Sequence, residues 1–210
     1  MTEILRLNKL NKSFGAVIVA EELELGLDAG EALGIIGPNG AGKTSLFNLI
    51  TGTLRPDSGN VYFNGLDVTR MTAAGRARAG MARSFQVPQP FSGLTVFENA
   101  MVAATAAADL RGMEATRHCL AILEQTELLA KANVLAGSLT LLERKRLELT
   151  RALCACPKLL LLDEIAGGLT EAECVSLIDT IQHIHESEFA QPHSQTNQQS
   201  IASTCSYQHH

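Results

Sequence analysis

The feature that most constrains the fold is a glycine-rich run between a strand pattern and a helix pattern. It fits G-x-x-x-x-G-K-[ST] at every fixed position and reads Gly37-Pro38-Asn39-Gly40-Ala41-Gly42-Lys43-Thr44. Residues 32–36 are apolar, as in a buried strand, and residues 45–50 carry apolar side chains at helical spacing. Glycines let successive backbone N–H groups point inward, and the helix N-terminus adds partial positive charge. The run therefore predicts a phosphate-binding loop rather than an ordinary glycine-rich turn before a helix.

The composition fits one α/β domain. The 210 residues are 46% apolar, which is enough for a core, and the net charge of −5 does not favour nucleic acid as a partner. No apolar run approaches the roughly 18 residues of a membrane span, and the first ten residues lack a signal-peptide pattern. We therefore expect a cytosolic chain. Five cysteines without C-x-x-C or metal-ligand spacing are predicted to be reduced thiols: Cys119, Cys154, Cys156, Cys174 and Cys205.

Strands are predicted on both sides of the loop. Residues 3–8 and 17–27 precede it, and Phe14 lies between these two strands. Phe14 is either an ordinary core residue or an aromatic that stacks on adenine, a contact worth about 1–3 kcal/mol by analogy with base stacking. Residues 61–63 and 81–85 are further strands, with a short arginine-bearing helix over 72–80 between them. Gln86 ends the last of these strands, and the nearby phosphate site favours a ligand role for it over simple solvation.

A helical segment follows. Capping-box patterns begin at Thr95 and Thr140, and an amphipathic helix is predicted over 111–128 between the two helices that they open. Because no strand pattern separates the three helices, residues from about 90 to 156 predict an inserted helical subdomain. Its basic run at 144–146 is interpreted as a solvated helix face.

A continuous leucine run at 159–162 ends in two acids, Asp163 and Glu164. Buried parallel strands have this pattern, and α/β sheets bind ligands at the carboxyl ends of such strands. With a phosphate loop upstream, Asp163 is expected to act as a partner of Mg²⁺. Glu164 is expected to orient and deprotonate a water that attacks the γ-phosphate. Two adjacent surface acids are the alternative.

Together these motifs resemble the ATP-binding subunit of ABC transporters. Residues 37–44 are similar to the Walker A loop, residues 159–164 to Walker B with its catalytic glutamate, and residues 167–170 stand where the D-loop would be. Order and spacing agree from residue 1 to about 187. The sequence segments 82–86 and 93–99 look most like those of the ATP-binding subunits of branched-chain amino acid importers, or of the related amide and urea importers.

The resemblance implies an α/β P-loop NTPase core with N-terminal antiparallel strands, and MgATP hydrolysis coupled to transport of small solutes such as branched-chain amino acids. It implies membrane permease subunits as partners, a location at the cytoplasmic face of the plasma membrane, and head-to-tail pairing with a second ATP-binding subunit. Lys43 would contact the β- and γ-phosphates, and Glu164 and Gln86 would act in catalysis. Thr44, Gln86 and Asp163 would hold Mg²⁺. The nucleotide-binding residues would be Phe14, Gly37, Pro38, Asn39, Gly40, Ala41, Gly42, Lys43, Thr44, Ser45 and Thr140.

One departure from the family pattern is the signature, usually LSGGQ, which aligns with residues 139–143. Thr140 keeps a hydroxyl at the helix N-terminus. Leu141 and Leu142 replace the paired glycines, and their side chains should hinder close backbone approach to a γ-phosphate. Glu143 adds negative charge. We expect weaker or altered contact with ATP on the partner subunit.

A second departure is the tail, because residues 189–210 contain no Asp, Glu, Lys or Arg. The family places an apolar strand between the Walker A and Walker B strands at this point, and the tail lacks that pattern. We therefore predict an ATP-binding domain over 1–188, a truncated C-terminal part with a disordered tail over 189–210, and no switch histidine. The alternative function is a nucleotide-binding remnant that holds ATP without efficient hydrolysis.

Overall fold

The computed structural model describes residues 2–38, 40–84, 87–189 and 200–206, which form two sheets and six α-helices. The strands are β1 (Glu3–Phe14), β2 (Val17–Asp28), β3 (Ala32–Gly37), β4 (Ser58–Phe63), β5 (Leu66–Asp67), β6 (Met81–Ser84), β7 (Leu159–Asp163) and β8 (Ser200–Ser206). The helices are α1 (Lys43–Thr51), α2 (Ala73–Arg78), α3 (Val96–Ala106), α4 (Gly112–Gln125), α5 (Leu141–Cys154) and α6 (Glu171–Phe189). Short 3-10 turns lie at Leu129–Lys131 and Ala136–Ser138.

The N-terminal sheet is antiparallel, with the order β2-β1-β4-β5. β1 buries Ile4, Leu5, Leu7 and Leu10 in one core with Val61 and Phe63 of β4 and Phe47 of α1. β1 and β2 form a long hairpin that turns at Gly15, where φ is +59°. The predicted N-terminal antiparallel strands are confirmed, and both extend further than the alternation indicated.

The second sheet is parallel, with the order β3-β8-β7-β6. All five residues of β7 are buried, as its unbroken leucine run predicts for a strand covered on both faces. β3 leads into the glycine-rich loop and β7 ends at the two acids. The parallel sheet therefore brings both motifs to the same edge.

The polar C-terminal segment contains a strand that the sequence analysis wrongly excluded. β8 pairs with β3 on one side and β7 on the other, with Ala202 opposite Leu33 and Leu161. The prediction of a disordered tail is therefore wrong for Ser200–Ser206, and α6 reaches Phe189. A strand between two parallel partners is held by backbone hydrogen bonds on both edges, and these do not require apolar side chains. Residues 190–199 and 207–210 lie outside the described part.

The three predicted helices between β6 and β7 are present as α3, α4 and α5. Both capping boxes are confirmed: the Thr95 and Thr140 hydroxyls accept from the N–H groups of Glu98 and Glu143, whose carboxylates accept in return. α4 ends at Gln125, three residues before the predicted end, and Leu128 is buried in the loop that follows. The helices share buried apolar clusters with one another.

The basic run at 144–146 is not the solvated face that the sequence suggested. Arg144 is exposed, but Lys145 and Arg146 are buried. Arg146 bonds the Glu127 carboxylate at 2.6 Å and the Ser176 hydroxyl of α6 at 2.9 Å. The sequence interpretation failed because Lys145 and Arg146 each have polar partners from outside α5. These contacts offset the free-energy cost of burying the two charges.

Arg76 of α2 is almost fully buried and holds the C-terminal end of α1. Its guanidinium donates to the backbone carbonyls of Leu49 at 2.8 Å, Ile50 at 2.6 Å and Thr69 at 3.0 Å. Burial lowers the pKa of this guanidinium, and the charge of Asp67 opposes that shift. A cation at a helix C-terminus also complements the helix dipole.

We expect Arg76→Met to lower the free energy of unfolding by about 2–4 kcal/mol, because three buried carbonyls lose their donor. Urea denaturation followed by circular dichroism measures the change. Arg78→Met is the matched control, since Arg78 lies on the same helix and is exposed. Equal effects of the two substitutions would contradict the capping role.

Candidate functional site

The glycine-rich loop leaves its backbone donors at the start of α1 unblocked by side chains. Gly42 is the N-cap residue, with φ at +86° and no side-chain cap, and Gly40 also has a positive φ of +81°. A Cβ at position 42 would lie 3.3 Å from the Val19 carbonyl oxygen, so this position favours glycine for space as well as for conformation. The N–H groups at a helix N-terminus bind anions, as predicted for this loop.

Lys43 folds back onto the loop. Its ammonium donates to the Gly37 carbonyl at 2.7 Å and to the Pro38 carbonyl at 2.8 Å, and the residue is 7% exposed. A positive charge is therefore held inside the curve of the loop, beside the α1 N-terminus. An anion in the loop would bind the Lys43 ammonium more strongly than these two neutral carbonyls do.

A cavity of about 410 Å³ opens beside the loop, within the size range of small-molecule sites. The β1–β2 hairpin forms one wall and Glu164 contributes from the end of β7. Phe14 is 53% exposed at the hairpin tip, so it is not the core residue that was one reading of the sequence. The lining residues are Phe14, Val17, Ile18, Val19, Gly40, Ala41, Gly42, Lys43, Thr44, Ser45 and Glu164.

Charged groups hold the hairpin tip in place. The Lys12 ammonium lies 5.2 Å from the centre of the Phe14 ring and bonds the Asp57 carboxylate at 2.6 Å. Asp57 also accepts from the Ser13 backbone N–H at 2.8 Å. The hydrogen bonds from Lys12 and Ser13 lower the pKa of Asp57. The aromatic ring is thus fixed at the mouth of the cavity and offers a flat apolar surface.

The two acids after the leucine strand differ in their surroundings. Asp163 is 1% exposed, and its Oδ2 accepts from Arg83 of β6 at 2.7 Å. Arg83 also donates to the Asn48 side chain of α1 at 2.6 Å. Glu164 is partly buried, lines the cavity, and has a left-handed backbone with φ at +44°. Non-glycine residues in this conformation concentrate at functional sites.

Lys145 connects the signature helix α5 to Glu164. It is 5% exposed, and its ammonium lies 3.5 Å from the Glu164 carbonyl oxygen. Burial lowers the pKa of Lys145, while the charges of Glu164 and Glu148 raise it. A buried cation therefore lies beside the backbone of Glu164, the predicted catalytic residue. The sequence analysis did not predict this contact, because a basic run usually marks a solvated surface.

Thr140 is not among the residues that line the cavity beside the glycine-rich loop. Its hydroxyl caps α5, and the Glu143 carboxylate, which closes that capping box, is paired with Lys131. The hydrogen bond from Lys131 is the largest cause that lowers the pKa of Glu143. The negative charge that the sequence places at the signature is therefore matched by a cation of the same chain.

Leu141, which replaces a signature glycine, packs on the segment after β7. A Cβ built on Gly168 would lie 3.2 Å from Leu141 Cδ2, and Leu141 is still 38% exposed. The predicted signature and D-loop segments therefore touch within one chain. Two other predicted site residues, Asn39 and Gln86, lie outside the described residues.

A second cavity, of about 740 Å³, separates α2 and β6 from α3 and α5. Glu148 and Arg151 hold the loop after Gln86 against α5 on its wall. Glu148 accepts from the Gln89 N–H at 3.1 Å, and Arg151 donates to the Gln89 carbonyl at 3.1 Å and lies 5.0 Å from the Phe91 ring centre. We call this cavity the helical cleft. None of these residues had a distinctive sequence signal.

The family model described as ABC transporter matches residues 20–167, which is more than half of the chain. The chain belongs to the ABC transporter family. It is the ATP-binding subunit of a transporter, an ATPase that couples ATP hydrolysis to transport. Among the described residues, no helix is long and apolar enough to cross a bilayer.

Relatives of this ABC subunit serve different transport systems. It is 31% identical over 178 residues to the lipopolysaccharide export system ATP-binding protein LptB of Escherichia coli K12, which covers 85% of this chain and 74% of LptB. It is 33% identical over 179 residues to the probable branched-chain amino acid transport ATP-binding protein LivG of Methanocaldococcus jannaschii, covering 80% and 70%. BraF of Pseudomonas aeruginosa, a high-affinity branched-chain amino acid transport ATP-binding protein, is 32% identical, covering 81% and 72%.

Solved structures confirm the P-loop NTPase fold of an ABC cassette. The ADP conformation of one ATP-binding cassette of an ABC transporter superimposes with a TM-score of 0.84 at 27% identity, covering all of this chain and 83% of that one. A nucleotide-free cassette gives 0.80 at 26% identity, covering 96% and 81%.

Proposed function

We propose that this chain is the ATP-binding subunit of an importer for small solutes such as branched-chain amino acids. The observation that carries the nucleotide part is one cavity that combines an exposed aromatic ring, a phosphate loop with a held lysine, and a carboxylate. The solute class is supported by the LivG and BraF relatives and by the sequence segments 82–86 and 93–99. The LptB relative does not support this solute class, because LptB belongs to a lipopolysaccharide export system.

Each part of the cavity has a task in ATP hydrolysis. Phe14 stacks on the adenine ring, and the loop N–H groups with Ser45 bind the phosphates. When ATP binds, the Lys43 ammonium leaves the two loop carbonyls and bonds the β- and γ-phosphates, because a charged phosphate binds a cation more strongly than a neutral carbonyl does. Glu164 orients a water in line with the γ-phosphate and accepts its proton. Gln86 contributes to positioning, and Thr140 meets the nucleotide of the partner subunit.

The residues assigned to Mg²⁺ fit a hard cation that prefers oxygen ligands. Thr44 offers an exposed hydroxyl at the loop, and the Asp163 carboxylate lies at the end of β7. Since Arg83 already binds Asp163, we assign Asp163 to a contact through water. Gln86 completes the set. Bound there, Mg²⁺ would offset the negative charge of the phosphates.

Partners and location follow from this role. We propose that the subunit pairs head to tail with a second ATP-binding subunit and binds permease subunits at the cytoplasmic face of the plasma membrane. A permease segment would enter the helical cleft, because its wall carries the loop after Gln86, held by Glu148 and Arg151. Movement at the nucleotide would reach the permease through this loop.

The domain division is part of the proposal. The ATP-binding domain would comprise residues 1–188, as the sequence predicts, together with β8, and its helical subdomain would span about 90–156. The described strand β8 completes its parallel sheet from the segment after 188. The absence of such a strand from the sequence pattern was one reason to expect no switch histidine, and β8 removes that reason. His209 and His210 follow β8 in the sequence and lie outside the described residues.

The test of the proposed function is turnover and transport by the assembled system. The full chain is purified, MgATP binding and phosphate release are measured, and the chain is then reconstituted in liposomes with the permease subunits of a branched-chain amino acid importer. We expect ATP-dependent uptake of leucine. Uptake absent with normal turnover would refute the importer role, and tight ATP binding without turnover would favour the alternative, a nucleotide-binding remnant.

The signature departure gives a further prediction. Replacing Leu141 and Leu142 together by Gly should strengthen ATP-driven dimerisation about tenfold, because close backbone approach to the partner's γ-phosphate becomes possible. Sedimentation velocity with and without MgATP measures the dimer. Thermal melting is the control for the helix propensity lost with two glycines. Unchanged ATP-driven dimerisation would show that these leucines do not limit the contact.

A further inference from the structure

A group of thiols lies away from the nucleotide cavity, where α4 packs against the end of α5. It consists of Cys119 on α4, Cys154 on α5, Cys156 just after α5, and the imidazole of His118 on α4. We call it the thiol cluster. No group of His, Cys, Asp and Glu in the described ranges has the make-up of a metal site, and Cys119, Cys154, Cys156 and Cys174 are free thiols.

Two members of the thiol cluster are sealed inside the protein. Cys119 and Cys154 are fully buried and hydrogen-bond to each other. The hydrogen bond between the two thiols, and then burial, raise the pKa of Cys154, while the same hydrogen bond lowers the pKa of Cys119. Because both sulfurs are sealed from solvent, this pair is expected to be inert in the folded protein.

Cys156 differs from its two neighbours in access and in partner. It is partly exposed in the turn that leads from α5 to β7, with a left-handed backbone at φ +49°. Its Sγ lies 3.4 Å from Nε2 of His118, whose ring is also partly exposed. A thiol beside an imidazole, both reachable from solvent, is the arrangement of a reactive cysteine.

We propose that Cys156 is a modification site, whose thiol is activated by His118 and takes up a low-molecular-weight disulfide such as glutathione disulfide. The Sγ proton passes to Nε2, and the thiolate attacks one sulfur of the disulfide. A bond forms between Sγ and that sulfur, the old S–S bond breaks, and the released thiolate takes the proton from the imidazolium. Cys156 is oxidised and half of the disulfide is reduced, so atoms and electrons balance.

The chain carries its own control in Cys174 of α6. Cys174 has the same intermediate exposure as Cys156, but its Sγ faces the carbonyl oxygens of Ala166 at 3.6 Å and Leu169 at 3.9 Å. A carbonyl oxygen accepts a hydrogen bond from the Cys174 thiol, but it is too weak a base to remove the proton and leave a thiolate. Exposure alone would make the two thiols react equally, and activation by His118 separates them.

The experiment treats the full reduced chain with glutathione disulfide and follows each cysteine by peptide mass mapping. We expect Cys156 to form the mixed disulfide about tenfold faster than Cys174, and Cys119 and Cys154 to stay unmodified until denaturant is added. Dithiothreitol should reverse the modification. Equal rates at Cys156 and Cys174 in the wild-type chain would overturn the proposal without any variant.

His118→Gln tests the activating group. We expect the rate at Cys156 to fall about tenfold while the rate at Cys174 is unchanged. A variant that merely loosens the helices would instead raise the rates at the buried Cys119 and Cys154. An unchanged rate at Cys156, with both buried thiols still protected, would also overturn the proposal.

Discussion

Glu164→Gln is expected to leave MgATP binding intact and to lower the rate of ATP hydrolysis by about 10²–10⁴-fold, the usual contribution of a general base. The amide keeps the size of the side chain and the contact of Lys145 with the backbone carbonyl, but it does not accept a proton from water. Phosphate release under saturating MgATP gives the rate. Equilibrium dialysis gives the affinity.

Glu171→Gln is the matched control, since Glu171 is an exposed acid on α6 and does not line the cavity. It should retain wild-type turnover. If Glu164→Gln hydrolyses ATP at more than about a tenth of the wild-type rate, the base must be another group, and the role assigned to Glu164 would be wrong.

Lys43→Ala should weaken MgATP binding by about 10²-fold, because it removes a desolvated cation from the curve of the phosphate loop. The Gly37 and Pro38 carbonyls, which accept from Lys43, also lose their donor. Isothermal titration calorimetry of the full chain measures the affinity, and a melting curve checks that the loop change has not unfolded the protein.

Arg70→Ala is the control for Lys43, since Arg70 is an exposed cation that does not line the cavity. It should bind MgATP like the wild type. Equal affinity in Lys43→Ala and the wild-type chain would mean that the loop does not hold the phosphates through this residue.

Local patterns were sufficient to predict the parts of the fold that local physics decides. The leucine strand β7 and the two capping boxes each follow from residues within one element, and so does the presence of β3, although none of its residues is buried as its apolar run suggested. The meeting of the loop with Glu164 also followed, because parallel strands place their carboxyl ends at one edge.

Features that depend on a partner element were not predictable in the same way. β8 is polar, yet the gap between β3 and β7 selects a strand through backbone pairing. Lys145 resembles a surface lysine until the end of β7 is placed beside it, and Arg83 gains its role only when Asp163 and Asn48 converge on it. Side-chain partners that lie far apart in sequence leave no local pattern.

The central claim is that a single cavity, walled by the β1–β2 hairpin, the phosphate loop and Glu164, holds the nucleotide. Photolabelling of the full chain with an azido derivative of ATP, followed by peptide mapping, tests it most directly. We expect the label on the hairpin tip between Phe14 and Val19, and its loss on addition of excess MgATP. A label on the helical cleft, or one that excess MgATP does not displace, would contradict this account.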